Sequence, residues 1–99
     1  MATKVHRSSG NVFRDVGFDS QEAEHLGIRS ELMIQVRKLI EARGLTQAAA
    51  AKLFGVTQPR VSDLVRGRIG LFSIDTLVDM LAQAGIRVRV VIGRSRQVA

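Results

Sequence analysis

The chain has 99 residues, and its 15 Lys and Arg against 9 Asp and Glu give a net charge of +6, which fits one small domain facing a polyanion. It has no Cys, no Trp, no Tyr and four Phe, which excludes a disulfide framework and a thiolate site and leaves an aliphatic, Ala-rich core. No apolar run reaches the length of a membrane span and nothing at the start reads as a signal peptide, so a cytoplasmic protein with no membrane partner is expected.

The charge is unevenly placed. Residues 1–51 are nearly balanced, whereas the cationic excess lies in residues 52–99. Residues 1–18, MATKVHRSSGNVFRDVGF, read as a flexible N-terminal segment that opens as a basic tail around Ser8, Ser9 and Gly10. Within it, Val12, Phe13, Val16 and Phe18 are too apolar to be left in water, so they lie either on the first helix or against a partner. His6 and His25 are far apart, without Cys or a clustered acid beside them. They read as surface histidines, and neither a metal ligand set nor a cofactor motif is expected.

The domain proper spans 19–92. Its first helix starts at Asp19, which with Glu22 has the spacing of a capping box. Leu32, Met33, Val36, Leu39 and Ile40 give it a core-facing stripe, with Arg29, Gln35, Arg37, Lys38 and Glu41 opposite. Gly27 marks a place where the helix either breaks or continues at about 1 kcal/mol relative to Ala, and Gly44 ends it.

Thr46 to Gly67, TQAAAAKLFGVTQPRVSDLVRG, then reads as two short helices joined by a tight turn. Ala50, Leu53 and Phe54 form one apolar face, and Val61, Leu64 and Val65 the other. Gly55 permits the turn, Val56 plugs its inner angle, and Ala51 leaves room for two helices to cross closely. Thr57 is a good cap for the second helix. Pro59 lacks an N–H, so the Thr57 hydroxyl is expected to accept from Arg60. This is a helix-turn-helix, whose second helix is the one offered to a DNA groove. Gln58, Arg60, Ser62, Asp63 and Arg66 have no evident core role there, and Gln and Arg are types that read base edges or grip phosphates. Asp63 either accepts from a cytosine amino group or, by the preferred reading, orients Arg60 or Arg66 one turn away.

Next comes a loop between Gly67 and Gly70 whose Arg68 would sit beside the DNA backbone. Phe72 staples onto Leu77, Ser73 caps, and Ile74, Leu77, Val78, Leu81 and Ala82 line another helix, which Gly85 stops. Ile86, Val88, Val90 and Ile92 then alternate with Arg87, Arg89 and Val91, a strand pattern. No second strand is evident, and a lone strand is unstable. It is therefore expected to pair with its copy in a dimer, or with an edge strand of another protein. Residues 93–99 read as a loose basic tail with Arg94 and Arg96. An enzyme finds little support, with no Cys nucleophile, no His beside a reactive Ser and no Gly-rich phosphate loop. Nor are exposed aromatics interleaved with the basic residues as RNA binding would need.

Residues 45–67 resemble the Xre/λ-repressor class of helix-turn-helix. NVFRDVGF, TQPRVSDLVRG and FSIDTLVDMLAQAG together resemble HigA-type antitoxins, over roughly residues 8–92. The resemblance implies an all-α, λ-repressor-like bundle with a short C-terminal β-strand pairing across a homodimer. It also implies a repressor of its own operon, bound to a near-palindromic operator in double-stranded DNA, that silences a small RelE/HigB-like toxin. By position it places Thr46 and Gln47 on phosphates, Thr57, Gln58, Pro59 and Asp63 in the major groove and Arg66 on the backbone. Ala49 departs from the acid that many relatives carry there. A regulator with no toxin partner is the alternative. If a toxin binds, Val12, Phe13, Val16 and Phe18 are the candidate contacts.

Overall fold

Four helix starts are fixed by side-chain caps, three of them at the residues expected and the fourth at Thr46, a residue expected only at a phosphate. Asp19 Oδ1 accepts the Glu22 N–H at 2.8 Å, Thr46 Oγ1 that of Ala49 at 3.1 Å, Thr57 Oγ1 that of Arg60 at 3.3 Å and Ser73 Oγ that of Thr76 at 3.0 Å. Each satisfies a donor that a helix would otherwise leave unmade. The computed structural model describes the backbone of residues 2–6, 17 and 19–93, and the side chains of residues 17 and 19–93. In chain order it contains strand β1 (Ala2–His6), helices α1 (Ser20–Ala42), α2 (Gln47–Phe54) and α3 (Gln58–Val65), a 3-10 turn over Ile69–Leu71, helix α4 (Ile74–Gln83) and strand β2 (Arg87–Val91).

The helix ends follow the sequence as closely as the starts. After α1 the Gly44 N–H donates to the Glu41 carbonyl and the Leu45 N–H to that of Ile40, so the chain turns back with Leu45 laid on the core. α1 runs through Gly27 without a break, and Gly27 itself is buried. Gly55 is left-handed, with φ at 68°. A Cβ there would stand 3.1 Å from Gln83 Cγ on α4, so both backbone and space favour glycine.

One apolar cluster holds the helices together. α1 contributes Leu32, Met33 and Val36, α2 Ala50, Ala51 and Phe54, α3 Val61 and Leu64, and α4 Leu77, Met80 and Leu81, with Phe72 and Ile86 closing it. Leu64 and Leu77 are wholly buried, and truncating either to Ala is expected to cost about 2–5 kcal/mol. Two details depart from the expected stripes. Val65 is 37% exposed, because an eight-residue helix supported on one side buries only the narrow face through Val61 and Leu64. On α4 the inner face is centred on Leu77, Met80 and Leu81, so Met80 is buried and Ala82 is exposed.

The larger correction concerns the strands. β2 is not alone: Ala2–His6, expected to open a flexible tail, forms β1 and pairs with it in parallel, from Ala2 against Arg87 to His6 against Val91. β1 also packs on α1, and β2 on α4. The five residues ATKVH carry no clear period-two pattern, and a parallel partner so far along the chain leaves no hairpin signal. Among the described residues the sheet holds only these two strands. Among the described residues β2 therefore has one edge filled and no strand along the other. Val12, Phe13, Val16 and Phe18 lie outside the described residues, as do Arg94 and Arg96.

Candidate nucleic-acid interface

α2 and α3 pack directly on each other, and the turn between them is built from Gly55 and Val56. The Val56 N–H donates to the Ala51 carbonyl at 3.0 Å, and the Val56 side chain is half-buried against the core. That contact swings the chain into α3 and leaves Thr57, Gln58 and Pro59 exposed at its N-terminus. Thr46 and Gln47, at the start of α2, are exposed as well. Ser62 and Asp63 are half-buried one turn further along α3, while Arg66 at its end and Arg68 in the following loop are exposed. The polar residues named from the sequence are thus displayed along α3 and at the two motif ends that flank it.

Three of these side chains have intramolecular environments that their spacing did not suggest. The Arg60 guanidinium lies over the Phe72 ring, 5.0 Å from its centroid, and Phe72 is only 1% exposed. The cation is drawn onto the electron-rich face of a core aromatic, so Arg60 leans toward the edge of α3. Asp63 pairs with Arg68, its Oδ1 3.6 Å from the guanidinium. It orients neither Arg60 nor Arg66, the preferred expectation. The reason is the helix end: Gly67 takes φ of 75° and the Arg68 N–H donates to the Asp63 carbonyl at 3.1 Å. The turn carries the Arg68 side chain back over the last turn of α3. Gly67 was the available signal for this contact, since a left-handed glycine past a helix end returns the next residue to the third from last. Nothing in the spacing of Arg60 and Phe72 announces theirs.

The face is thus a helix N-terminus of small polar groups, with Arg60 at one edge and Arg66 and Arg68 at the far end. Uncharged polar groups and cations of this kind are the types that contact base edges and phosphates. The dimerisation candidates are in a different place: Ile86 is buried in the core, Val88 half-buried, and Val90 and Ile92 are 64% and 88% exposed. Among the described residues no helix is long and apolar enough to cross a membrane.

Residues 12–93 match a family described as a helix-turn-helix domain. A solved structure described as an XRE family transcriptional regulator is similar at 29% identity and a TM-score of 0.69, over 79% of this chain and 88% of that one. Among curated proteins none matches the sequence.

Proposed function

Since the chain belongs to the helix-turn-helix domain family, we propose that it is a repressor whose α3 enters the major groove of a near-palindromic operator. Its character as a DNA-binding transcriptional regulator of XRE type is the premise; the base-by-base roles are the proposal. The observation that carries it is the exposed N-terminus of α3, where Thr57, Gln58 and Pro59 stand clear of the core. Gln58 is assigned a bidentate contact to adenine, with Thr57, Pro59, Ser62 and Asp63 beside it. Arg60, beside Phe72, is likewise assigned to a base edge. Thr46, Gln47, Arg66 and Arg68 hold the backbone. A duplex selected from a random pool by the wild-type protein provides the test. Gln58→Ala should cost about 1–3 kcal/mol on that duplex and relax preference at one base pair. Arg66→Ala should weaken binding to all duplexes and lower the salt slope by about one. Equal losses for Gln58→Ala on selected and random DNA would reverse the orientation assigned to α3.

The repressor acts as a homodimer through β2, and a small RelE/HigB-like toxin is its protein partner. What supports the dimer is the open edge of β2 with Val90 and Ile92 beside it. Half-sites would then lie about 34 Å apart or a multiple of it, and removing residues 86–99 should give a monomer that binds DNA weakly. What supports the toxin is the resemblance of both flanks to HigA-type antitoxins, together with the apolar residues Val12, Phe13, Val16 and Phe18. The docking surface is assigned to these four and the adjoining start of α1, away from α3, so that DNA and toxin can be held together. Co-expression of a neighbouring small basic protein with wild-type and Phe13→Ser/Phe18→Ser chains checks this. Unchanged co-purification and unchanged rescue of growth, with the variant still folded, would remove the surface. The absence of such a neighbour would leave a regulator without a toxin.

A further inference from the structure

We propose that two copies of this chain join antiparallel along the open edge of β2 with Val90 on the two-fold axis, making a four-stranded sheet in the order β1, β2, β2, β1. The proposal rests on the dimer reading above and specifies its register. β1 fills one edge of β2 over its whole length, and among the described residues no strand lies along the other. An open edge presents a row of unpaired N–H and C=O groups that another strand can satisfy.

The side chains say which strand. Ile86, Val88, Val90 and Ile92 share one face of β2. Ile86 is 6% exposed and Val88 packs against the core, but Val90 and Ile92 run past the helices into water. This apolar face overshoots the body it belongs to. A second copy turned end for end supplies what is missing, because its supported end then lies beside the unsupported end of the first.

Charge and strand length select the register: an axis at Val91 or beyond sets β2 mostly against residues past its end. A two-fold axis perpendicular to the sheet places residues of the same face opposite each other, so the axis passes through a residue rather than between two. An axis at Val88 sets Arg87 opposite Arg89 twice, and leaves Ile92 beyond the pairing. An axis at Arg89 sets that arginine directly against itself. Like charges directly opposite each other destabilise an antiparallel pair. An axis at Val90 avoids both: Arg89 faces Val91, Arg87 faces Gly93, Val90 faces itself and Ile92 faces Val88. Val90 and Ile92, the two most exposed apolar side chains of this segment, then each gain an apolar neighbour, and Val91 lies opposite Arg89.

Because the chain has no Cys, a single substitution gives one thiol per copy. V90C, R89C and V88C are made in the full chain, checked for native helicity and oxidised. Directly opposite residues in an antiparallel pair have Cα atoms about 4.5–5.5 Å apart, inside the range of about 4.4–6.8 Å that a disulfide spans. In the proposed register two copies of residue 89 are diagonal, about 7–8 Å apart, and two copies of residue 88 are farther still. V90C is expected to give at least about tenfold more covalent dimer than either control, and a mixture of V88C and I92C chains should cross-link with each other. Preferential cross-linking of R89C or V88C would overturn the register. A chain that sediments as a dimer while none of the variants cross-links would overturn the edge. A wild-type chain monomeric at tens of micromolar would overturn the dimer with it. Operator binding by the same preparations, measured alongside, shows whether the DNA-binding reading survives any of these.

Discussion

An acid on a face proposed to meet DNA needs a reason, and Asp63 has one in Arg68. At 3.6 Å and with Arg68 half in water, the pair contributes no more than about 1 kcal/mol to stability. Its larger effect is on charge, since Asp63 offsets part of the positive charge that Arg68 would present to the backbone. Asp63→Asn is therefore expected to leave the melting temperature within a few degrees and to strengthen binding to every duplex. Anisotropy titrations on the selected operator and its single-base variants measure this. A loss of preference at one base pair would instead identify Asp63 as the reader of a cytosine amino group. Arg60 is tied down differently. A double-mutant cycle between Arg60→Ala and Phe72→Leu, followed by denaturant melts, should give a coupling of about 0.5–1 kcal/mol. No coupling would mean that the ring does not hold the guanidinium.

At the scale of elements, Gln83 on α4 leaves little room for a side chain at the turn that aims α3. Gly44 and Gly55 both lie in the left-handed region, but a Cβ at Gly44 would meet nothing within 4 Å, whereas one at Gly55 would press on Gln83 Cγ. Both Ala variants should lose about 1–2 kcal/mol to backbone strain, and Gly55→Ala should lose more. Repeating the pair of melts in a Gln83→Ala background should bring the two losses together; a difference that persists would exclude the α4 contact as its cause. The helices were legible because caps, stripes and terminal glycines agree in each of them, down to the Thr57 hydroxyl reaching past Pro59 to Arg60. Phase was less legible in the short helices, where Val65 and Ala82 fit a helical period but fall outside the arc that neighbours cover. The exposed face of α3 could be read from residue type alone. The Arg60–Phe72 contact could not, and Gly67 alone signalled the Asp63–Arg68 contact, since each depends on how the loop after α3 returns. β1 was invisible because pairing, rather than its own composition, makes it a strand.

At the scale of the molecule, the two ends of the described chain are joined in one sheet, with the DNA-facing motif on the continuous stretch between them. Deleting residues 1–6 should leave α2 and α3 protected in amide exchange and speed exchange selectively along β2, whose inner edge would be opened. Uniform faster exchange would mean instead that β1 supports the whole core. The parallel pairing also fixes an order of events. α2 and α3 touch within a single hairpin of chain, and contacts of that kind close early, while the entropy of closing a loop grows with its length. β1 leaves the ribosome before every helix, yet its hydrogen-bonding partner β2 is synthesised only after all of them. Until β2 has emerged β1 is an unsatisfied edge, and the helical motif between the two strands can be complete before the sheet exists.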